Sequence, residues 1–155
     1  MSVMNRLKSS LLIAAVAILM AVAAGGRQTE PQFKYAGGTE NLPEQCAGLL
    51  EMGPDAMVFR CAQYSIAIPY ASLTLMQYRP DVSKRVRKLK LTWKVRPVPG
   101  GGSKKNRYFT VVYQENGGQH AMVLEVQPLV MRPYLAEIEM RSGRRVEVKG
   151  YESYE

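Results

Sequence analysis

Apolar and polar positions alternate over most of this chain. The clearest case is Leu89-Lys90-Leu91-Thr92-Trp93-Lys94-Val95, where odd positions are apolar and even positions polar. That period predicts an extended strand with one dry and one wet face. Arg107 to Glu115 alternates too, with Phe109, Val111 and Tyr113 on one face, and Asn116-Gly117-Gly118 then supplies hairpin-turn chemistry. Ala121 to Val126 returns with Met122, Leu124 and Val126 on one face. Upstream, Ile66-Ala67-Ile68-Pro69-Tyr70 reads as a hairpin partner in which Pro69, lacking a donor, marks an edge or a bulge. Leu73 to Arg79 continues extended, with Leu73 and Leu75 expected on one face. The period changes near the end. Pro128 and Pro133 bracket a helix start, Tyr134, Leu135 and Ile138 recur at helical spacing, and Ser142-Gly143 stops the helix. Val146-Glu147-Val148 alternates like a short last strand, and Pro97 to Ser103 reads as a mobile loop. The expected fold is mainly β, a small barrel or sandwich of about six strands with one short C-terminal helix over its apolar face or open end.

The longest apolar run is of another kind. Leu11 to Ala24 is unbroken, Arg6 and Lys8 precede it, and Ala21 and Ala23 form an A-x-A site before Ala24. A basic start, an apolar stretch and small residues at the cut describe a signal peptide. An uncleaved anchor is the alternative, but the run is shorter than the ~20 residues a spanning helix needs. No Cys follows it, which closes the lipoprotein route. The expected division is 1–23 signal helix, 24–33 linker, 34–150 one β domain and 151–155 tail. The domain is expected to be exported, periplasmic or secreted, or else anchored with its bulk outside the cytoplasm.

Export changes how the two cysteines read. Cys46 and Cys61 flank a segment with Gly53-Pro54-Asp55 at its middle. A turn centred between Gly53 and Pro54 puts Cys46 directly opposite Cys61, and a structural disulfide is expected. Two free buried thiols are the alternative, and the absence of a C-x-x-C motif argues against a redox pair.

The segment from Gly48 to Leu73 resembles the GRAM and pleckstrin-homology-like (PH-like) families. The resemblance rests on Gly48, Leu50, the Gly53-Pro54-Asp55 turn, Val58-Phe59 and Ile68-Pro69-Tyr70. The helix near Tyr134 to Arg141 is similar to their C-terminal helix. The resemblance implies a bent, incomplete barrel of six to seven strands capped by that helix, and binding to lipid head groups or protein segments. It carries over no binding residue, because here the first hairpin is nearly free of Lys and Arg.

Catalytic chemistry finds little footing. His120 is the one histidine, sits beside a turn and reads as a surface residue. There is no G-x-S-x-G, the Cys and His lack zinc-site spacing, and Gly100-Gly101-Gly102-Ser103-Lys104 departs from a phosphate loop. Glu137 and Glu139, two apart on a helix, point to different faces. The chain is expected to be a binding module and not an enzyme, with no cofactor and no metal.

Charge supplies the candidate site. The net charge is +8. Arg79, Lys84, Arg85, Arg87, Lys88, Lys90, Lys94, Arg96, Lys104, Lys105 and Arg107 crowd one region against Asp81 alone. Lys84, Arg85, Arg87 and Lys88 are the leading binding cluster. The bland reading is a solvated face. The functional ones are anionic lipid or envelope polymer, or an acidic protein partner. Nucleic acid, stacking on Trp93, Tyr108 or Phe109, is disfavoured by export. A small-ligand barrel with an apolar pocket is the other function considered.

Overall fold

The computed structural model describes residues 32–98 and 107–150. The expected signal segment 1–23, nearly all of the expected linker, the glycines at 100–102, Lys104, Lys105 and the expected tail 151–155 lie outside the described residues. Among the described residues there are eight strands: β1 (Phe33–Gly38), β2 (Ala47–Met52), β3 (Ala56–Cys61), β4 (Tyr64–Pro69), β5 (Leu73–Arg79), β6 (Arg107–Glu115), β7 (Gly118–Val126) and β8 (Glu147–Val148). A 3-10 turn, Tyr70–Ser72, links β4 to β5. A short helix α1 (Lys84–Arg87) follows β5, and a long one, α2 (Pro128–Ser142), follows β7.

The strands form one sheet in the order β4-β3-β2-β1-β7-β6-β5-β8, antiparallel except where β8 runs parallel to β5. The chain is mainly β with a C-terminal helix, as its periodicity predicts. The expected small bent barrel is corrected to an open sheet, because β4 and β8 stand at its two ends and do not pair. Each end is a poor ladder partner. Pro69 removes a donor from β4, and β8 has only two residues.

Both halves of the sheet bury their inner faces in a single core. Phe33, Leu50, Phe59, Ile68, Tyr78, Phe109, Val111 and Leu124 belong to it, together with Met131 and Ile138 of α2. Phe33, at the end of the expected linker, is fully buried there. Helix α2 opens with Pro128, ends at Gly143 in the left-handed conformation (φ 66°), and packs Tyr134 edge-on against Phe33. It runs through Pro133 instead of starting behind it. Arg141 Nη1 and the Tyr70 hydroxyl both donate to the Gly53 carbonyl, which ties the helix to the β2–β3 turn.

Three local expectations are corrected. First, Leu89 to Val95 is not a strand. Its burial alternates as expected, but its one ladder contact is the bridge from Val95 to Gly38. The segment lies extended over the outer face of the sheet. There Leu89, Leu91 and Trp93 cover a second cluster made by Ala36, Val82, Val86, Tyr108, Val112, Ala121 and Val123. This cover explains why β6 is buried on both faces. Second, Leu73 and Leu75 face opposite ways, since the β5–β6 register shifts between them. Third, Leu50 pairs with Phe59, so the turn sits one residue later than expected and Cys46 is not directly opposite Cys61. That shift moves partners by two positions and keeps the faces. The disulfide between Cys46 and Cys61 forms, with Cα atoms 5.9 Å apart. A disulfide fits an oxidising environment.

Candidate functional site

The basic cluster sits on α1 and on the segment beyond it. Four residues cannot hold a helix alone, so tertiary contacts hold α1. Val82 and Val86 are buried under it. Ser83 caps it, with Oγ accepting from Val86 N at 3.3 Å and donating to Gln77 Oε1 at 2.7 Å. Gln77 Nε2 in turn donates to Glu147 Oε2 at 2.8 Å. A polar chain, buried at Ser83 and Gln77 and exposed at Glu147, thereby fixes α1 to β5 and β8.

Helical geometry divides the four predicted residues. Lys84, Arg87 and Lys88 share one face, at spacings of three and four, and line a cleft of about 310 Å³. Arg85 turns the other way and pairs with Glu147 Oε1 at 3.3 Å. The structure adds three cleft residues from outside the predicted cluster of four: Arg96 of the wider basic stretch, Trp93 and Pro97. They come from the extended cover, which is seated on β1. Gly38 N donates to Val95 O at 2.9 Å and Lys94 N to Gly38 O at 3.0 Å. A side chain at Gly37 would meet Pro97 N and Val95 O at 2.9 Å, so glycine there lets the cover lie against the strand. The cleft wall holds four cations and an indole, with no acid among its described lining residues.

Other members of the basic stretch have structural partners. Arg79 pairs with Asp81 at 3.1 Å. Arg107 is buried and donates from Nη2 to Gly150 O at 2.9 Å. Tyr108 and Phe109 are buried and offer no exposed stacking platform, while Trp93 is half-exposed and lies in the cleft.

A second polar site surrounds His120, which is half-buried and not the plain surface residue expected. Its Nδ1 lies 3.3 Å from Thr39 Oγ1 and 3.5 Å from Glu40 Oε1, and its ring stacks on Tyr113 with centroids 5.5 Å apart. Tyr113 donates to Glu40 Oε1 at 3.0 Å, and the Tyr35 hydroxyl donates to the Glu40 carbonyl at 3.0 Å. Burial first, and the charge of Glu40 second, push both tyrosine hydroxyls well above their ordinary pKa. The Asn116-Gly117 turn signal implies that Tyr113 faces His120 across the hairpin. No sequence signal brings Glu40, some eighty positions away, to the same spot.

A third feature is a groove of about 360 Å³ between α2 and β2, lined by Leu50, Met52, Pro133, Tyr134 and Glu137. Glu137 and Glu139 diverge as expected. The first pairs with Arg141, and the second accepts from Val146 N. Among the described residues no helix is long and apolar enough to cross a membrane. No protein-family model matches the chain, and no curated protein matches it in sequence.

Proposed function

We propose that this chain is a non-enzymatic, exported binding module with a PH-like fold that docks on anionic lipid through the α1 cleft. The observation that carries the reading is the convergence of Lys84, Arg87, Lys88 and Arg96 around Trp93, with no acid among the described lining residues. A basic side chain near an anionic bilayer contributes about 1 kcal/mol, so the four together would hold the domain at the surface. An indole suits the boundary between head groups and acyl chains. The PH-like assignment is supported by seven strands of six to nine residues followed by one C-terminal helix. Export is supported by the A-x-A site at the end of the apolar run and by the disulfide.

The test is sedimentation of the chain from Ala24 with neutral and anionic vesicles over a salt series. Two neutralised variants change net charge equally but differ in place: Lys88→Gln in the cleft and Arg85→Gln outside it. Binding to anionic vesicles that weakens with salt, and that falls about fivefold in Lys88→Gln but little in Arg85→Gln, supports the cleft. Equal losses in both variants would reduce the cluster to bulk charge. No binding at low salt sinks the lipid reading and turns attention to an envelope polymer or an acidic protein. A second reading, a small apolar ligand, is favoured by the groove between α2 and β2, and binding there would be indifferent to salt.

A further inference from the structure

We propose that Glu40, Glu115 and His120 form a Zn²⁺ site. Three separate parts of the chain supply them: the loop after β1, the end of β6 and the start of β7. One ligand atom from each, a ring nitrogen and two carboxylate oxygens, lies within 4.8 Å of the others. An imidazole with two carboxylates suits Zn²⁺ among the common divalent ions, and such a three-ligand set leaves a position for water.

The site is built by the backbone. Asn116 (φ 50°) and Gly117 (φ 72°) make a two-residue turn, with Glu115 opposite Gly118 and Tyr113 opposite His120. Tyr113, Glu115 and His120 therefore share a face of the hairpin. The Glu40 loop is clamped onto that face. Thr39 N donates to Ala121 O at 2.9 Å, and Ala121 N donates to Thr39 Oγ1 at 3.2 Å. Two tyrosines orient Glu40 itself, Tyr35 through its carbonyl and Tyr113 through its carboxylate. Tyr113 also stacks on the His120 ring. A partner that holds one ligand by hydrogen bond and another by stacking is the outer support that metal sites use.

The spacing suits the ion. Two ligands about 2.0–2.1 Å from a tetrahedral zinc stand roughly 3.3–3.5 Å apart, and His120 Nδ1 and Glu40 Oε1 are 3.5 Å apart. Glu115 is exposed, so its side chain can close the remaining distance. The His120 and Glu40 side chains are 28% and 32% exposed, which leaves a way in for the ion. A cation there also offsets the repulsion between two neighbouring carboxylates. This assignment uses none of the α1 cleft residues and stands apart from the lipid reading.

The experiment is equilibrium dialysis of Zn²⁺ against the full chain, prepared without a histidine tag and stripped with chelator, alongside His120→Ala, Glu115→Gln and Tyr113→Phe. Far-UV circular dichroism checks the fold of each. The expected result is one Zn²⁺ per chain, a rise in melting temperature with the metal, and affinity at least tenfold lower in His120→Ala and Glu115→Gln. Tyr113→Phe keeps all three ligands and should still bind, about tenfold more weakly. Glu115 is exposed, so its variant leaves the fold intact and isolates the ligand role. No saturable binding by the wild-type chain, or unchanged affinity in both ligand variants, overturns the proposal.

Discussion

Gly48 shows how one missing side chain shapes this domain. A Cβ there would stand 2.8 Å from Cys61 Cβ and would collide with the Arg60 carbonyl. Its absence lets the disulfide sit where β2 passes from β3 to β1, with Phe33 paired to Gly48. The bridge closes a loop of sequence separation 15, for which chain entropy gives about 3 kcal/mol. Replacing both cysteines with alanine should lower the unfolding free energy by about 3 kcal/mol, read as a drop in the urea midpoint. An unchanged midpoint would mean that the ladders alone hold the β2–β3 hairpin. The disulfide is legible in the cysteine positions and the turn residues between them. The diagonal geometry is not, because a one-residue displacement of the turn depends on the Gly53 N to Ala56 O bond, which many four-residue loops could make.

Element by element, α1 has the least intrinsic stability and the largest role in the cleft. Its sequence, KRVR, carries a single apolar residue. That residue, Val86, is fully buried in the outer cluster. Val86→Ala removes about two buried methylene equivalents and leaves a cavity, a cost of about 2 kcal/mol. It also unseats Lys84, Arg87 and Lys88 without changing charge. The expected outcome is weaker binding to anionic vesicles at constant net charge. Full binding by a folded Val86→Ala chain would show that the cleft geometry does not matter. The extended cover beside α1 teaches a related lesson. Alternation at Leu89 to Val95 reports a chain lying on an apolar surface, whether or not that chain joins a ladder. Val95 joins β1 only at an isolated bridge to Gly38, and the rest of the segment rests on the outer face without a ladder.

In the whole molecule, the two halves of the sheet and α2 share one core, and the 82–97 segment closes the outer face. Removing either layer exposes the apolar side chains of β6, which is buried on both sides. The domain is therefore expected to unfold as one unit. Trp93 is the sole tryptophan and lies in the cover, so its fluorescence reports the outer layer while far-UV circular dichroism reports the sheet. The two denaturation curves should coincide. An earlier fluorescence transition would make the cover, and the cleft with it, a separately melting layer.

The sequence by itself determined the mainly β class, the Asn116-Gly117 hairpin, the edge position of Pro69, the C-terminal helix and its Gly143 stop. Each follows from short-range rules of period two, period 3.6, turn chemistry and missing donors. It also marked the basic cluster, because charge is countable. Only the tertiary structure decided which cations converge. The helical phase of α1 sends Arg85 to Glu147 and the other three to the cleft, and the seating of Val95 to Pro97 on Gly37 and Gly38 brings Arg96 and Trp93 to join them. It likewise decided that Glu40 meets His120. That contact depends on β1 pairing with β7, and long-range pairing leaves no local mark in the chain.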